Sequence, residues 1–187
     1  MDHVWVALLR GINLGARNRV PMAKLREVFA DAGCEAVTTY IQSGNVVFSK
    51  KASDRAALAR RLEKAIRGAF DVSAPVVLRT ADELGKIVAS HPFGRETSHT
   101  VVTFLAEKPD RAAVRRLKAL DIAPDRVEVV GSDVYLHYPK GFQGARLTGA
   151  LLERTLGVAG TARNWRTVTR LAELAEKEER AAGIEPA

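Results

Sequence analysis

Apolar and polar positions alternate along the first 80 residues in a pattern that predicts the order β-α-β-β-α-β. The continuous apolar run from Val4 to Leu9 predicts a buried strand. Two amphipathic helices follow, because apolar residues recur there at spacings of three and four: Met22, Leu25, Phe29 and Ala32, then Leu58, Leu62, Ala65, Ile66 and Ala69. Further strands are predicted at residues 37–42, 45–49 and 75–79. This order is that of the split ferredoxin-like fold.

The second half of the chain repeats the pattern. Thr80 and Glu83 form a capping box, which predicts a short helix in a connector over residues 81–98. We then expect the following elements: a strand at 100–106, a helix from Pro109, strands at 126–130 and 134–138, a helix around Leu147 to Leu156, a strand near 158–162, and a last helix capped by Asn164, with residues 176–187 frayed. The sequence therefore predicts an α+β protein of two tandem ferredoxin-like subdomains with antiparallel sheets, spanning residues 1–80 and 99–187.

This topology brings two distant segments to one rim of the first sheet. The first two strands run in the same direction, because a crossover helix joins them, and the third strand returns between them. The loop that follows the first strand should then lie beside the turn between the second and third strands, at Ser43-Gly44-Asn45. The polar side chains expected at this rim are Arg10, Asn13, Arg17, Arg19, Gln42, Ser43 and Asn45.

These side chains are of the kind that bind an anion. A glycine-containing loop with arginines, leading into a helix that starts after Pro21, offers backbone amides and positive charge to a phosphate or carboxylate. Residues 10–13 match neither the phosphate-loop nor the dinucleotide fingerprint. The alternative is a loop whose polar side chains satisfy its own backbone.

Composition further limits the classes of protein to which the chain can belong. The chain has 187 residues, a net charge of +7 and one cysteine, Cys34, so it cannot form an internal disulfide and we expect a cytoplasmic protein. No run approaches the ~20 apolar residues of a membrane span, and the N-terminus does not resemble a signal peptide. The four histidines have no metal-ligand spacing, and we predict no metal site and no cofactor.

Several stretches resemble the bacterial "domain of unknown function 1697" family. They are residues 8–15 (LLRGINLG), 20–22 (VPM), 40–48 (YIQSGNVVF) and 161–168 (TARNWRTV), where Arg166 departs from the asparagine more usual in the family. The resemblance implies an intracellular protein of two α+β subdomains and implies no established activity. It also adds Arg163 and Asn164 as candidate ligand-binding residues at a cleft between subdomains. Read from spacing alone, Asn164 is a helix cap.

Three functions stay open at this point. The first is binding of a phosphate-bearing small molecule or a nucleic acid. RNA-recognition-type binding is disfavoured, because the third strand has one aromatic residue, Phe48. The second is an enzyme acting on a small polar metabolite, and the third is a structural or partner-binding protein in which the conspicuous motifs are folding devices. The sequence does not determine the ligand or the oligomeric state, and we expect no membrane partner.

Overall fold

The computed structural model describes residues 2–52 and 54–184, with the side chain of Asp2 excepted. The chain forms two compact units, one made of Met1–Lys86 together with Arg170–Ala187 and the other of Ile87–Thr169. Residues 170–187 thus group with the first unit, whereas the sequence pattern assigned them to the second half of the chain. Among the described residues, no helix has the length and apolar character needed to cross a bilayer.

The first unit has the predicted order of strands and helices. Its elements are β1 (Asp2–Leu9), α1 (Met22–Asp31), β2 (Glu35–Tyr40), β3 (Asn45–Lys51), α2 (Arg55–Phe70), β4 (Val76–Thr80) and most of α3 (Ala81–Ala89), whose last three residues are grouped with the second unit. The sheet order is β2-β3-β1-β4, and each neighbouring pair is antiparallel. As predicted, β3 lies between β1 and β2.

One face of this sheet packs against α1 and α2. The buried residues of the helices are those that the helical spacing selected, among them Leu25 and Phe29 on α1 and Leu62 and Ile66 on α2. They meet alternate residues of the central strands, since successive side chains of a strand point to opposite faces: Trp5, Ala7, Leu9, Val46 and Phe48. This burial fixes the register of β1 against β3 and with it the position of the loop after β1.

The second unit repeats the architecture. Its elements are β5 (Thr100–Leu105), α4 (Arg111–Lys118), β6 (Arg126–Val130), β7 (Asp133–His137), a 3₁₀ turn (Phe142–Gly144), α5 (Gly149–Leu156), β8 (Gly160–Asn164) and α6 (Trp165–Ala182), which continues into the residues grouped with the first unit. The sheet order is β6-β7-β5-β8, again antiparallel. The predicted α+β fold of two tandem ferredoxin-like subdomains is therefore confirmed.

Each sheet makes an equivalent main-chain hydrogen bond at the end of its first strand. The amide of Leu9 donates to Gly44 O at 2.8 Å, and the amide of Leu105 donates to Ser132 O at 2.9 Å. The main difference lies in the next segment: 12 residues separate β1 from α1, at positions 10–21, and five separate β5 from α4, at positions 106–110. The first unit thus carries a longer loop on the same framework.

Some helices and strands end at residues other than the predicted ones. At these positions backbone conformation, and not hydrophobicity, determines where the element ends. β2 ends at Tyr40 because Ile41 takes a left-handed conformation with φ 51°. β8 covers 160–164, not 158–162. α6 continues through residues 176–182, which we expected to fray, and an ion pair between Glu176 and Arg180, four residues apart, supports this part of the helix.

Candidate functional site

The predicted rim forms at the end of β1, where the loop of residues 10–20 meets the turn of residues 41–44. Asn13 Nδ2 donates to the main-chain oxygen of Gln42 at 2.7 Å, across 29 positions of sequence. The bond from Leu9 N to Gly44 O lies beside it. The prediction that these two segments lie together is confirmed, and we call residues 10–20 and 41–44 the rim.

The loop is closed by its own hydrogen bonds and held by two apolar anchors. Ile12 and Val20 are buried in the core of the first unit. The amide of Asn13 donates to Asn18 O at 2.9 Å, and Asn18 Nδ2 donates to Gly11 O at 2.9 Å. These bonds replace some of the main-chain partners that a helix or sheet would give to the loop.

Two of the candidate binding residues brace the backbone. Asn13 donates through Nδ2 to Val20 O at 3.0 Å as well as to Gln42 O, and its Oδ1 accepts from Val20 N at 2.8 Å. Asn45 is fully buried at the start of β3, where its Nδ2 donates to Tyr40 O and to Ser43 Oγ, both at 2.9 Å. For Asn13 and Asn45, the geometry favours the structural alternative, because their amides are engaged by the protein itself.

Gly44 shows how closely the two segments approach. A Cβ atom at this position would lie 2.7 Å from Ile12 Cδ1 and 2.8 Å from Leu9 Cβ, and the residue has φ +81°. Both the space and the conformation therefore require glycine. The tip of the β2–β3 hairpin therefore packs directly against Leu9 and Ile12, with no space for a side chain at residue 44.

Other candidate residues keep their side chains on the surface. Arg17, Arg19 and Gln42 are exposed, while Arg10 is half-buried and its amide donates to Pro75 O at 2.9 Å. Among the described residues, Arg17 and Arg19 have no ion-pair partner. No aspartate or glutamate occurs at positions 3–26 or 36–53. Arg17 and Arg19 therefore give the rim positive charge, with no acidic side chain in the neighbouring stretches of sequence.

Arg19 and Gln42 meet at a shallow cavity beside the start of α1. Its volume is about 290 Å³, and its lining residues are Asn13, Gly15, Arg19, Val20, Pro21 and Gln42. Pro21 is the N-cap residue of α1, which begins at Met22, and its side chain makes no capping hydrogen bond. The first amides of a helix have no hydrogen-bond acceptor inside the helix. The amides of Met22, Ala23 and Lys24 can therefore donate to a ligand on this side of the cavity.

The other helices start differently, each with a side-chain oxygen that accepts from a first-turn amide. The capping residues are Asp54 for α2, Thr80 for α3, Asp110 for α4, Thr148 for α5 and Asn164 for α6. The counterpart of α1 in the second unit is α4, where a carboxylate oxygen of Asp110 lies 2.6 Å from Ala113 N. In this fold, the position left uncapped in the first unit is thus one that accommodates an anionic oxygen.

Sequence reasoning missed two apolar residues at the rim. Leu14 is 69% exposed at the tip of the loop, and Ile41 is 48% exposed in the hairpin turn. Ile41 combines this exposure with a left-handed φ of 51°, which a β-branched residue rarely adopts. The sequence around residue 41 gave no signal for this conformation, because Tyr40 and Ile41 are both residues that favour strands.

Arg163 and Asn164 belong to the second unit and are described by their contacts within it. Arg163 is buried on β8, where its Nη1 donates to Thr161 Oγ1 at 2.7 Å and to Ala162 O at 2.9 Å. Burial lowers the pKa of Arg163 to about 10. Asn164 Oδ1 accepts from Thr167 N at 2.8 Å, which confirms its predicted role as the cap of α6. A ligand role for either residue stays a prediction.

The described part of the chain holds no group of three or more histidine, cysteine or acidic side chains placed to bind a metal ion. Cys34 is buried, and burial raises the pKa of its thiol to about 11. A thiol with so high a pKa is a poor nucleophile near neutral pH, because the reactive form is the thiolate. The rim, residues 10–20 and 41–44, contains no histidine, cysteine, aspartate or glutamate that could act as an acid or base near neutral pH.

The fold and the rim define a class of α+β protein in which two ferredoxin-like units carry one enlarged basic loop. Within that class, the chain belongs to the family described as "Protein of unknown function (DUF1697)", whose model matches residues 2–135. No protein among the curated ones searched matches the chain.

A solved structure shares the fold. The conserved bacterial protein SP0830 from Streptococcus pneumoniae superposes with a TM-score of 0.75, covering 94% of this chain and 99% of its own, at 20% sequence identity. Identity at this level shows a common fold and carries no statement about ligands.

Proposed function

We propose that the rim binds an anionic ligand, carrying a phosphate or carboxylate group, at Arg19, Gln42 and the first turn of α1. The observation that supports this most directly is the uncapped start of α1 beside the cavity that Arg19 and Gln42 line. A helix N-terminus favours negative charge, and an arginine can bind two oxygens of one anion. Arg17 adds charge on the same loop, and Arg10 lies at its base.

The predicted residues have two different roles in this proposal, one structural and one in contact with the ligand. Asn13, Ser43 and Asn45 hold the loop and the turn in position through the bonds described above. Arg17, Arg19 and Gln42 are exposed and remain able to contact a ligand. No observation favours an enzyme over a binding protein, since residues 10–20 and 41–45 contain no acidic residue, histidine or cysteine. A cytoplasmic location is part of the same proposal.

Titration with inorganic phosphate, followed by amide NMR shifts, tests the site. We expect shifts at Met22, Ala23 and Lys24 and at the side-chain amide of Gln42. Arg19→Ala should weaken binding about tenfold or more, because a hydrogen bond to a charged group contributes roughly 1.5–3 kcal/mol. Arg60→Ala removes an exposed arginine on α2 and serves as the matched control. Equal weakening by both variants would mean that only general charge attracts phosphate.

A single-stranded oligonucleotide distinguishes the two sources of phosphate. If the ligand is a nucleic acid, its affinity should fall steeply between low and moderate salt, because binding releases counterions from the phosphate backbone. A small phosphate-bearing molecule contacts one site and gives a shallower dependence. Affinity for the oligonucleotide that does not change with salt would contradict the nucleic-acid branch of the proposal.

A further inference from the structure

Both segments of the rim are longer than their counterparts in the second unit. The loop after β1 exceeds the one after β5, as described above, and the turn between β2 and β3 is longer as well. It has four residues, at positions 41–44, whereas the turn between β6 and β7 has two, at positions 131–132. The two enlarged segments meet, because Asn13 Nδ2 donates to Gln42 O at 2.7 Å. The first unit therefore extends the common framework on both sides of one cavity.

Each enlarged segment exposes one aliphatic side chain at the border of this cavity. Leu14 lies between Asn13 and Gly15, which both line the cavity. Ile41 directly precedes Gln42, another lining residue. Leu14 and Ile41 are both exposed, and no other large hydrophobic side chain is exposed in the described part of the first unit. The exposed large hydrophobic residues of the first unit thus both border the proposed anion site.

Ile41 is held at the surface at a cost in stability. A single exposed aliphatic residue is common on proteins and requires no explanation by itself. Ile41 differs because its backbone is left-handed, with φ 51°, a conformation that a β-branched residue rarely adopts. Its side chain is 48% exposed and so recovers little of this cost by burial. Residues in such conformations occur preferentially at sites that bind ligands. A side chain kept exposed in this way is suited to contact a ligand.

Leu14 is held in a closed turn. The amide of Arg17 donates to Leu14 O at 3.3 Å, and the two residues form an isolated antiparallel bridge across Gly15 and Ala16. The backbone of Leu14 therefore has a fixed place beside the cavity. The same turn carries Arg17, and Arg19 follows it and lines the cavity. Positions 14–19 thus combine an apolar side chain with two arginines.

An anion without an apolar group would use Arg19 and leave Leu14 and Ile41 in water. We propose that the ligand of the rim is an amphiphilic anion, in which a phosphate or carboxylate group is joined to a short hydrocarbon group. The inference rests on the proposed function, because the anionic group occupies the site at Arg19 and Gln42. The hydrocarbon group extends over the border of the cavity and contacts Leu14 and Ile41, which adds affinity by removing apolar surface from water.

This ligand class favours a small molecule over a nucleic acid. Proteins that bind single-stranded nucleic acids stack the bases on aromatic side chains. Leu14 and Ile41 are aliphatic, and residues 10–20 and 41–44 contain no phenylalanine, tyrosine or tryptophan. A saturated hydrocarbon group, in contrast, needs only apolar surface, which these two side chains supply.

Methyl phosphate and n-butyl phosphate test the inference, because they have the same charge and differ only by three methylene groups. Each is titrated into the full chain, and binding is followed by the NMR shifts of the Met22, Ala23 and Lys24 amides. A fully buried methylene raises affinity about fourfold, so three that are half-buried should make the butyl ester bind about fivefold to tenfold more tightly. The methyl signals of Leu14 and Ile41 should shift with the butyl ester and not with the methyl ester.

Variants of the two aliphatic residues locate the contact. In a double variant with both Leu14→Ser and Ile41→Asn, the ratio of the two affinities should fall to about one, and asparagine retains the left-handed backbone at residue 41. Val130→Thr is the matched control, since Val130 is 49% exposed at the corresponding hairpin of the second unit. This control should keep the ratio of the wild type.

The outcomes separate this inference from the proposed function. If neither ester shifts the amides of the first turn of α1, the proposed anion site is wrong and the inference fails with it. If both esters bind there with equal affinity, or if the double variant keeps the wild-type ratio, the anion site stands and the contact with hydrocarbon is refuted. Co-sedimentation with vesicles of phosphatidylglycerol identifies the source of the ligand: sedimentation that the double variant loses indicates a lipid headgroup, and the absence of sedimentation indicates a free molecule.

Discussion

Asn13 is the residue on which the geometry of the rim most depends, and its replacement by alanine tests this directly. The change removes three hydrogen bonds between side chain and main chain, two to Val20 and one to Gln42 O. Each is partly exposed, so we count about 0.5–1 kcal/mol for each bond. Asn13 is also left-handed, with φ 53°, a conformation that costs alanine about 1 kcal/mol. Together these give a loss of about 2.5–4 kcal/mol.

The assay is urea denaturation followed by the fluorescence of Trp5, in a Trp165→Phe background so that the signal comes from the first unit. In a thermal scan followed by the same fluorescence, a loss of this size should lower the melting temperature by roughly 5–16 °C in a chain of this length. Gln42→Ala is the matched control, because Asn13 bonds to the main-chain oxygen of Gln42 and the exposed side chain takes no part. It should change stability by less than about 0.5 kcal/mol.

Asn13→Gly separates the two contributions. Glycine lacks the side chain but accepts the left-handed conformation, so it should be more stable than the alanine variant by about 1 kcal/mol. If Asn13→Ala and Gln42→Ala proved equally stable, the bracing role assigned to Asn13 would be wrong, and its amide would have to be counted among the groups that contact a ligand.

Three further outcomes are expected. Gly44→Ala should destabilise the first unit by about 2–4 kcal/mol in urea denaturation, since the added methyl would overlap Ile12 and Leu9 at a position with φ +81°. Ile41→Asn should raise stability by about 0.5–1 kcal/mol, because asparagine tolerates the left-handed region and the lost isoleucine is half exposed; a loss of stability would show that Ile41 packs usefully. Cys34 should react with a thiol reagent at pH 8 about a hundredfold more slowly in the folded protein than in denaturant, as a pKa raised by burial to about 11 requires.

The fold could be predicted because apolar residues recur at regular spacings within each helix, and this spacing can be read from the local sequence. The spacing of Leu25 and Phe29, or of Leu62 and Ile66, identifies helix faces without knowledge of their partners. The order of elements then limits the sheet to a few topologies. What the pattern could not show was backbone conformation at single residues, since nothing in the hydrophobicity of Ile41 marks a positive φ.

The sequence predicted where the site lies, but not which role each of its residues has. Topology alone brought residues 10–20 beside the turn at 41–44. The direction of each side chain depends on tertiary contacts, so the sequence could not separate Asn13, which braces, from Arg19, which lines the cavity. The missing cap of α1 was equally hard to predict, because proline is typical of the first helical position, whereas the structure places Pro21 at the N-cap, where it has no side-chain oxygen to accept a hydrogen bond.

The unequal loops of the two units have a consequence for how this chain can change. The amides of Leu9 and Leu105 make the same bond in both sheets, so the five-residue link after β5 is already enough to complete the scaffold. The seven additional residues of the first unit are surplus to that requirement. Mutations there that spare Ile12, Asn13, Asn18 and Val20 keep the contacts that hold the loop in place. Evolution, or a protein engineer, thus has a segment whose specificity can change without redesign of the domain.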